Sequence, residues 1–569
     1  MTTSMNPSGD SFKRFSLWLA ALFLVVLGAK LQIVQLYGSS LPLWDQWYEA
    51  DDFFKPWVEG RLTWRDFFAL DNGHRILCTR LLDLTVIGLN GRWEPMLQMT
   101  VNAFLHTAYV CGLAFCLWDF LGRKNGWFIC LLLAPFFALP YAGENAIWAI
   151  TLEYLLDFFS LATVAVLGFA RPGGRWWWFG LAVAVLGLFT MASGLLAPVA
   201  VGGLAVLRIV KARRAEKGNL ITLVSCLAVV GLGLALRGPT EVGRPLEAHT
   251  LKEFAAALAH NVTWLFFDAP AVAGLILLPL ILLLFLYYRR DFQETRAAEL
   301  LLGLGAWSLM QAAALAFGRA NYGADFPISR YLDILNVFLI ASLFASMLLA
   351  QFWLRGAFST KFTLFPPLVL SIVICFGLCR ISQIVVDDLL VPTRTMNLIA
   401  EERVQTYLAT GNERELFEPP TVRPSPEKAL QVLRNPKLQT ILPAVCLPAS
   451  EAHVTGRFTA ASQWLLRNST AFLYAGLALF IFLAGHMLVR APAGLAWENL
   501  PAFVSLLALL AALGFVWTKA PITRDSVEQA LQSQLADYFK SVDNPQRAAF
   551  HEHRAEALKK ANENSHGTR

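Results

Sequence analysis

The chain has 569 residues, 56% of them hydrophobic and only 15% charged, with 18 Trp, 41 Phe, a mean hydropathy of +0.50 and a formal charge of +6. Its repeated apolar runs approach the ~20 residues that span hydrocarbon, which excludes a soluble globular protein and leaves an integral membrane protein of many helices. A nucleic-acid partner is not expected.

The first run, Phe15 to Leu36, follows Lys13 and Arg14 as a signal peptide would. It is long for such a segment and lacks a small-residue cleavage site, so a retained first helix is expected. Next comes the tract Pro42 to Arg75, with seven acidic residues, four basic ones and a histidine between apolar stretches. A helix starting near Leu43 would put Asp45, Glu49 and Asp52 on one acidic face. Trp44, Trp47, Tyr48 and Phe54 would form an amphipathic body at a membrane interface. Ile76 to Leu89 is apolar but short and carries Arg80 and Asp83, which suits an interfacial helix or the sunken start of a span.

Thirteen spans are expected, near 15–36, 96–118, 126–142, 147–169, 176–192, 194–210, 218–237, 263–288, 297–317, 328–352, 362–380, 468–489 and 498–518. Ser193, Gly194 and Pro198 supply the break between the fifth and sixth, as a tight hairpin or re-entrant turn. With the N-terminus inside, the clusters Arg123/Lys124, Arg171/Arg175, Lys211/Arg213/Arg214/Lys217, Arg289/Arg290, Arg355/Lys361 and Arg490 all fall on the cytoplasmic side. The external face then receives the loop 37–95, the Glu144 turn, the loops 237–261 and 318–330, the stretch 381–467 and the tail after Lys519. The division is a transmembrane module over 1–380, an external helical cap over 381–467, two spans over 468–518 and an amphipathic tail over 519–569. Most of the eight cysteines lie inside apolar runs, and a Cys379–Cys446 disulfide is weakly supported.

No P-loop, dinucleotide fingerprint, HExxH, CxxC pair or GxSxG elbow is present, so no soluble nucleotide cofactor is expected. A lipid-borne donor fits better. Transfer from a polyprenyl-phosphate sugar needs cations for the leaving phosphate, a carboxylate for the acceptor hydroxyl and a groove for the lipid. Asp45 is the first candidate carboxylate, with Glu49, Asp51 and Asp52 as neighbours, against a solvated acidic helix as the plain alternative. Glu144 is the second, against a cap or dipole partner of the next span. For phosphate and sugar the candidates are His74, Arg75, Arg319, Asp325, Arg330 and Tyr331. Arg330 with Asp333 is the alternative as a structural salt bridge, as is Arg80 with Asp83. Glu153 and Asp157 need partners elsewhere. His106 and His486 are read as buried hydrogen-bonded residues.

One span followed by Leu41-Pro-Leu-Trp-Asp45, a juxtamembrane helix, a second external acid at Glu144, about a dozen further spans and a late external cap resembles the GT-C superfamily of polyprenyl-phosphate-dependent glycosyltransferases. Asp71-Asn-Gly-His-Arg75, Ile328-Ser-Arg-Tyr331 and Asn435-Pro-Lys-Leu-Gln-Thr-Ile-Leu-Pro443 resemble stretches in bacterial multispan proteins of that kind. The resemblance implies an all-α polytopic fold in a bacterial inner membrane, a periplasmic active site and a role in building cell-envelope polysaccharide. By the same resemblance Asp45 is the acid of the first external loop and Glu144 that of the next. Members differ in their need for a divalent cation, and no ligand set in the sequence decides it. The expected partners are a polyprenyl-phosphate-linked sugar, membrane lipids and an acceptor glycan, lipid or protein. A lipid-linked glycan polymerase or ligase, a flippase and an assembly role are the alternatives.

Overall fold

The computed structural model describes residues 9–123, 125–150, 152–238, 244–266, 270–321, 328–353, 365–417, 425–448, 455–489, 500–519, 524–541 and 545–566. Among these, nine helices are long and apolar enough to cross a membrane. They run over Ser11–Tyr37, Pro95–Phe120, Gly126–Ile147, Ala192–Ala212, Lys217–Ala235, Thr295–Gly318, Ser329–Trp353, Phe365–Thr410 and Ser469–Met487. The protein is therefore an all-α, multi-pass membrane protein. The expected span at 263–288 begins instead at Pro270, and the Leu251–Phe266 segment before it lies at 93° to Ala271–Tyr287. The expected span at 147–169 is an 11-residue helix, Leu152–Ala162, followed by a π-helical turn over Thr163–Leu167.

The helix Leu332–Trp353 is the axis of the bundle, buried from Leu332 to Ala350. Its apolar side chains suit a helix surrounded by others. Polar residues gather near its start, where Asp333, Asn336 and His106 from the Pro95–Phe120 helix are all fully buried. Asp333 Oδ1 lies 3.7 Å from His106 Nε2 and 3.3 Å from the Tyr141 hydroxyl that donates to it. Lys30, buried in the first helix, has Asp333 and Asp157 as its charge partners. Arg330 and Asp333 thus do not pair; each has partners on other helices.

The helix Phe365–Thr410 has 46 residues. At 1.5 Å per residue it is about 70 Å long, more than twice the hydrocarbon thickness, so its C-terminal half stands outside the membrane. That half and the loop 37–95 share one apolar core, in which Trp47, Phe53, Phe54 and Trp93 pack with Val404, Leu416, Val432, Leu438 and Leu442. Trp47 and Phe54 are therefore interior residues of the cap rather than a lipid-facing surface. Lys428 donates to Asp51 and, at 3.2 Å, to Asp52, fastening the loop to the cap helix Pro426–Arg434.

The tail forms two helices, Arg524–Ser541 and Pro545–His566. Leu535, Phe539 and Ala548 pack on Ile399 of the long helix. Arg547 donates to Glu415 at 2.7 Å, and His551 Nε2 lies 2.8 Å from Glu402. Loop, cap and tail meet at one end of the bundle. All eight cysteines are free.

Candidate functional site

A cavity of about 620 Å³ opens where several segments converge. The first is a β-hairpin, Leu70–Asp71 with His74–Arg75, paired Leu70 to Arg75 and Asp71 to His74. Its turn residues Asn72 (φ 44°) and Gly73 (φ 83°) both adopt positive φ, which the Asn-Gly pair favours. That dipeptide is the sequence signal for a hairpin inside a tract otherwise dominated by its acidic residues. The hairpin delivers His74 to the cavity, where the Ala192 N–H donates to Nδ1 at 3.1 Å. That contact makes Nδ1 an acceptor and leaves Nε2 to carry the proton. Burial, then Arg319 and Arg330, pull the imidazole down to about 4, so at neutral pH His74 is an uncharged donor and not a cation. Arg75 Nε donates to Leu236 O at 2.9 Å and its guanidinium to Phe68 O, a clamp that seats the hairpin.

The second segment is the break between Arg175–Gly187 and Leu196–Ala212, a short 3-10 turn over Ala192–Leu195, as its Ser, Gly and Pro content predicts. Pro198 falls in the first turn of the following helix, where proline is tolerated. Gly194 is required here, because a Cβ would meet Gly187 O at 2.0 Å. Gly194→Val should therefore spread the two helices, displace Ala192 from His74 and destabilise the fold by more than about 1 kcal/mol. A melting temperature equal to that of the parent would refute the close-packing argument.

The third segment, Leu234 to Gly238 with Arg244 to Glu247, brings Arg237 and Arg244, and Arg319 comes from a further segment, the end of the Thr295–Gly318 helix; among the described residues Glu247 is the one acidic residue in the cavity lining. Gln311, Tyr331 and apolar residues including Leu195, Leu234 and Phe317 complete it. In the sequence Arg237 and Arg244 read only as part of an external loop. Their meeting with Arg319 depends on the Asn321 side chain donating to Glu247 O at 2.8 Å across the two loops.

The fourth segment is the turn Ser329–Tyr331. Ser329 Oγ donates to Tyr141 O at 3.0 Å, the Arg330 N–H donates to Glu144 Oε2 at 3.3 Å, and Asn145 Nδ2 donates to Arg330 O at 2.6 Å. Glu144 Oε1 lies 3.9 Å from the Arg330 guanidinium, which also sits over the Trp148 and Tyr331 rings at 5.0 and 5.1 Å. Glu144 is thus placed to position Arg330 through both backbone and side chain. Asp325 lies outside the described residues.

Trp148 also packs edge-on against Trp44, 6.0 Å between centroids, and Trp44 holds φ 49°, a costly conformation for a bulky residue. This contact brings Asp45 toward the arginines. Burial raises its carboxyl above the ordinary range, while Arg330 and then Arg319 draw it back. Asp71 stands nearby: burial, Glu49 and Asp45 push it up to about 7.

The expected single acidic helix face does not form. The helix Gln46–Glu49 runs into a π-helical turn over Ala50–Phe54, whose wider winding takes Asp51 and Asp52 off the register of Asp45 and Glu49. Glu49 turns inward and binds Arg80 Nε at 2.8 Å, while Asp51 accepts from Lys55 and Lys428. Arg80 and Asp83 therefore do not pair, and Asp83 accepts from Gln98 at 2.6 Å. Their helix, Leu77–Asn90, buries this polar face and exposes Leu81 and Leu89, as an interfacial helix would.

Among the described residues no group of three or more His, Cys, Asp or Glu side chains is arranged to hold a metal ion. Arg237, Arg244 and Arg319 thus line a cavity with apolar walls, and Asp45 feels the charges of Arg330 and Arg319 from outside that lining. No protein-family model, curated protein or solved structure matches the chain.

Proposed function

We propose that the protein is a glycosyltransferase of GT-C type, with thirteen spans and its cap on the periplasmic side of a bacterial inner membrane, that moves one sugar from a polyprenyl-phosphate or -diphosphate carrier to an acceptor. The observation that carries this reading is the cavity itself: among the described residues, three arginines against a single glutamate, set over leucine and phenylalanine walls. Cations of this kind suit a phosphate, and the walls suit the first isoprene units.

In the reaction the acceptor hydroxyl oxygen attacks the anomeric carbon from the face opposite the phosphate. The bond from that carbon to the phosphate oxygen breaks, its electron pair stays with the phosphate, and the configuration inverts. Asp45 takes the hydroxyl proton. Arg319 and Arg330 stabilise the charge growing on the lipid phosphate, and His74 Nε2–H adds a neutral donor. Glu144 keeps Arg330 in place, and Asp51 and Asp52 hold the cap over the site.

The test is transfer of labelled sugar from polyprenyl-phosphate hexoses in proteoliposomes, with Arg319→Gln as the control that should lose donor affinity. Failure of every polyprenyl-phosphate and -diphosphate sugar, together with no binding of polyprenyl phosphate, would overturn the reading. The pH profile offers a second check. Asp71, raised to about 7, is protonated below that value and charged above it, so the rate should change in one limb near pH 7. Asp71→Asn should remove that limb; a profile unchanged by the substitution would exclude Asp71 from the site.

A further inference from the structure

A second, smaller cavity of about 180 Å³ lies between the end of the first helix, the start of the Pro95–Phe120 helix, the long helix and the helix Thr459–Arg467. Its volume equals about six waters, close to one pyranose ring. Glu94, Arg394, Glu401, Thr459, Ser462 and Gln463 supply its polar lining.

The charges here balance, unlike those of the larger cavity. Arg394, 6% exposed, donates to Glu401 Oε1 at 3.3 Å, and the same oxygen accepts from Ser39 Oγ at 2.7 Å. Arg467 stands with Glu94 in the lining, so among the described residues two cations face two carboxyls, and with Glu94 ionised no excess positive charge is left for a phosphate. Donors and acceptors are instead interspersed, as a neutral polyhydroxylated ligand requires. Burial pushes Glu94 up to about 7, with Arg92 drawing it partly back, so near neutral pH it can serve either role.

Two features mark a built site. Thr459 is 8% exposed, yet its Oγ1 has no hydrogen-bond partner among the described residues; a buried hydroxyl left so costs on the order of 1–3 kcal/mol. The walls are also fixed: Ser462 Oγ shares a 2.8 Å hydrogen bond with Thr100, and Asn90 Oδ1 accepts from the Phe458 N–H at 2.8 Å.

We infer that this pocket binds one uncharged sugar ring, with Thr459 Oγ1, Glu94 and Gln463 as its hydrogen-bonding groups. Ser40 in its lining is five residues before Asp45, at most ~18 Å along an extended chain, which bounds the distance from this wall to the proposed base. Its assignment to the acceptor rests on the transferase reading; the binding does not.

The experiment is saturation-transfer NMR on the full-length protein in nanodiscs, with a panel of methyl glycosides of neutral hexoses, N-acetylhexosamines and pentoses, and inorganic phosphate as competitor. At least one glycoside should receive saturation that phosphate does not reduce. Thr459→Val should weaken it about five-fold, the effect of one lost hydrogen bond. Gln463→Trp, at an exposed position, should abolish it by filling the mouth without unfolding the protein. No signal from any glycoside, a signal that survives Gln463→Trp, or displacement by phosphate would each overturn the inference. Glycoside binding by a protein that transfers no sugar would keep this pocket and remove the transferase reading.

Discussion

Asp45→Asn is expected to lower sugar transfer by about 10²- to 10⁴-fold, the contribution of a positioned general base, with the elution profile and helix content of the purified protein unchanged. The substitution keeps the size of the side chain and removes its ability to accept a proton. Its stability cost should be small, because Asp45 forms no capping hydrogen bond with the helix it precedes. Asp51→Asn and Asp52→Asn serve as the comparison. Their carboxylates bind Lys428, so their loss should loosen the cap and raise KM more than it lowers kcat. A fully active Asp45→Asn protein would sink the assignment and pass the role of base to Asp71.

Lys30→Met should produce the largest loss of stability. The ammonium is 1% exposed inside the bundle, and its Nζ has no hydrogen-bond partner among the described residues. Asp157 and Asp333 are its charge partners. Neither carboxylate lies within ion-pair distance of Lys30, so the substitution removes a longer-range attraction in a medium of low dielectric constant, and the expected cost is about 1–3 kcal/mol. The expected result is loss of the monodisperse species in detergent at a temperature the parent survives. Lys30→Met combined with Asp157→Asn should recover part of that loss, since it removes an opposing charge at the same time. If Lys30→Met alone melts with the parent, the electrostatic account of the bundle centre is wrong.

This cluster also lies next to the site. Asn145 Nδ2 donates both to Arg330 O and, at 3.3 Å, to Asp333 Oδ2, so the buried charges and the arginine turn share one hydrogen-bonded frame. Changes at Lys30 that leave the protein folded should therefore also disturb Arg330, visible as weaker donor binding.

Apolar run length and the cost of burying charge are local properties, and they suffice to show that the chain crosses a membrane many times, where most helices run, and that the loop after the first helix is rich in acidic residues. The break at Ser193-Gly194 is equally legible in the sequence, because glycine and proline act on their own backbone. The pairing of charges, by contrast, is a property of the packed molecule. Spacing along the chain suggests Arg80 with Asp83 and Arg330 with Asp333, but buried ions take the partner that packing brings closest, and in both cases that partner lies on a distant segment. The acidic face of the first loop fails to form because one π-helical turn, which no residue type announces, takes Asp51 and Asp52 off the register of Asp45 and Glu49, while Arg80 and Lys428 draw the carboxylates apart. Lys30 is visible in the sequence as a lone charge within an apolar helix, but the charges that act on it, Asp157 and Asp333, are supplied by two other helices. Arg237 and Arg244 join Arg319 through loop contacts between segments 74 residues apart, and a hydrophobicity pattern holds no record of such contacts.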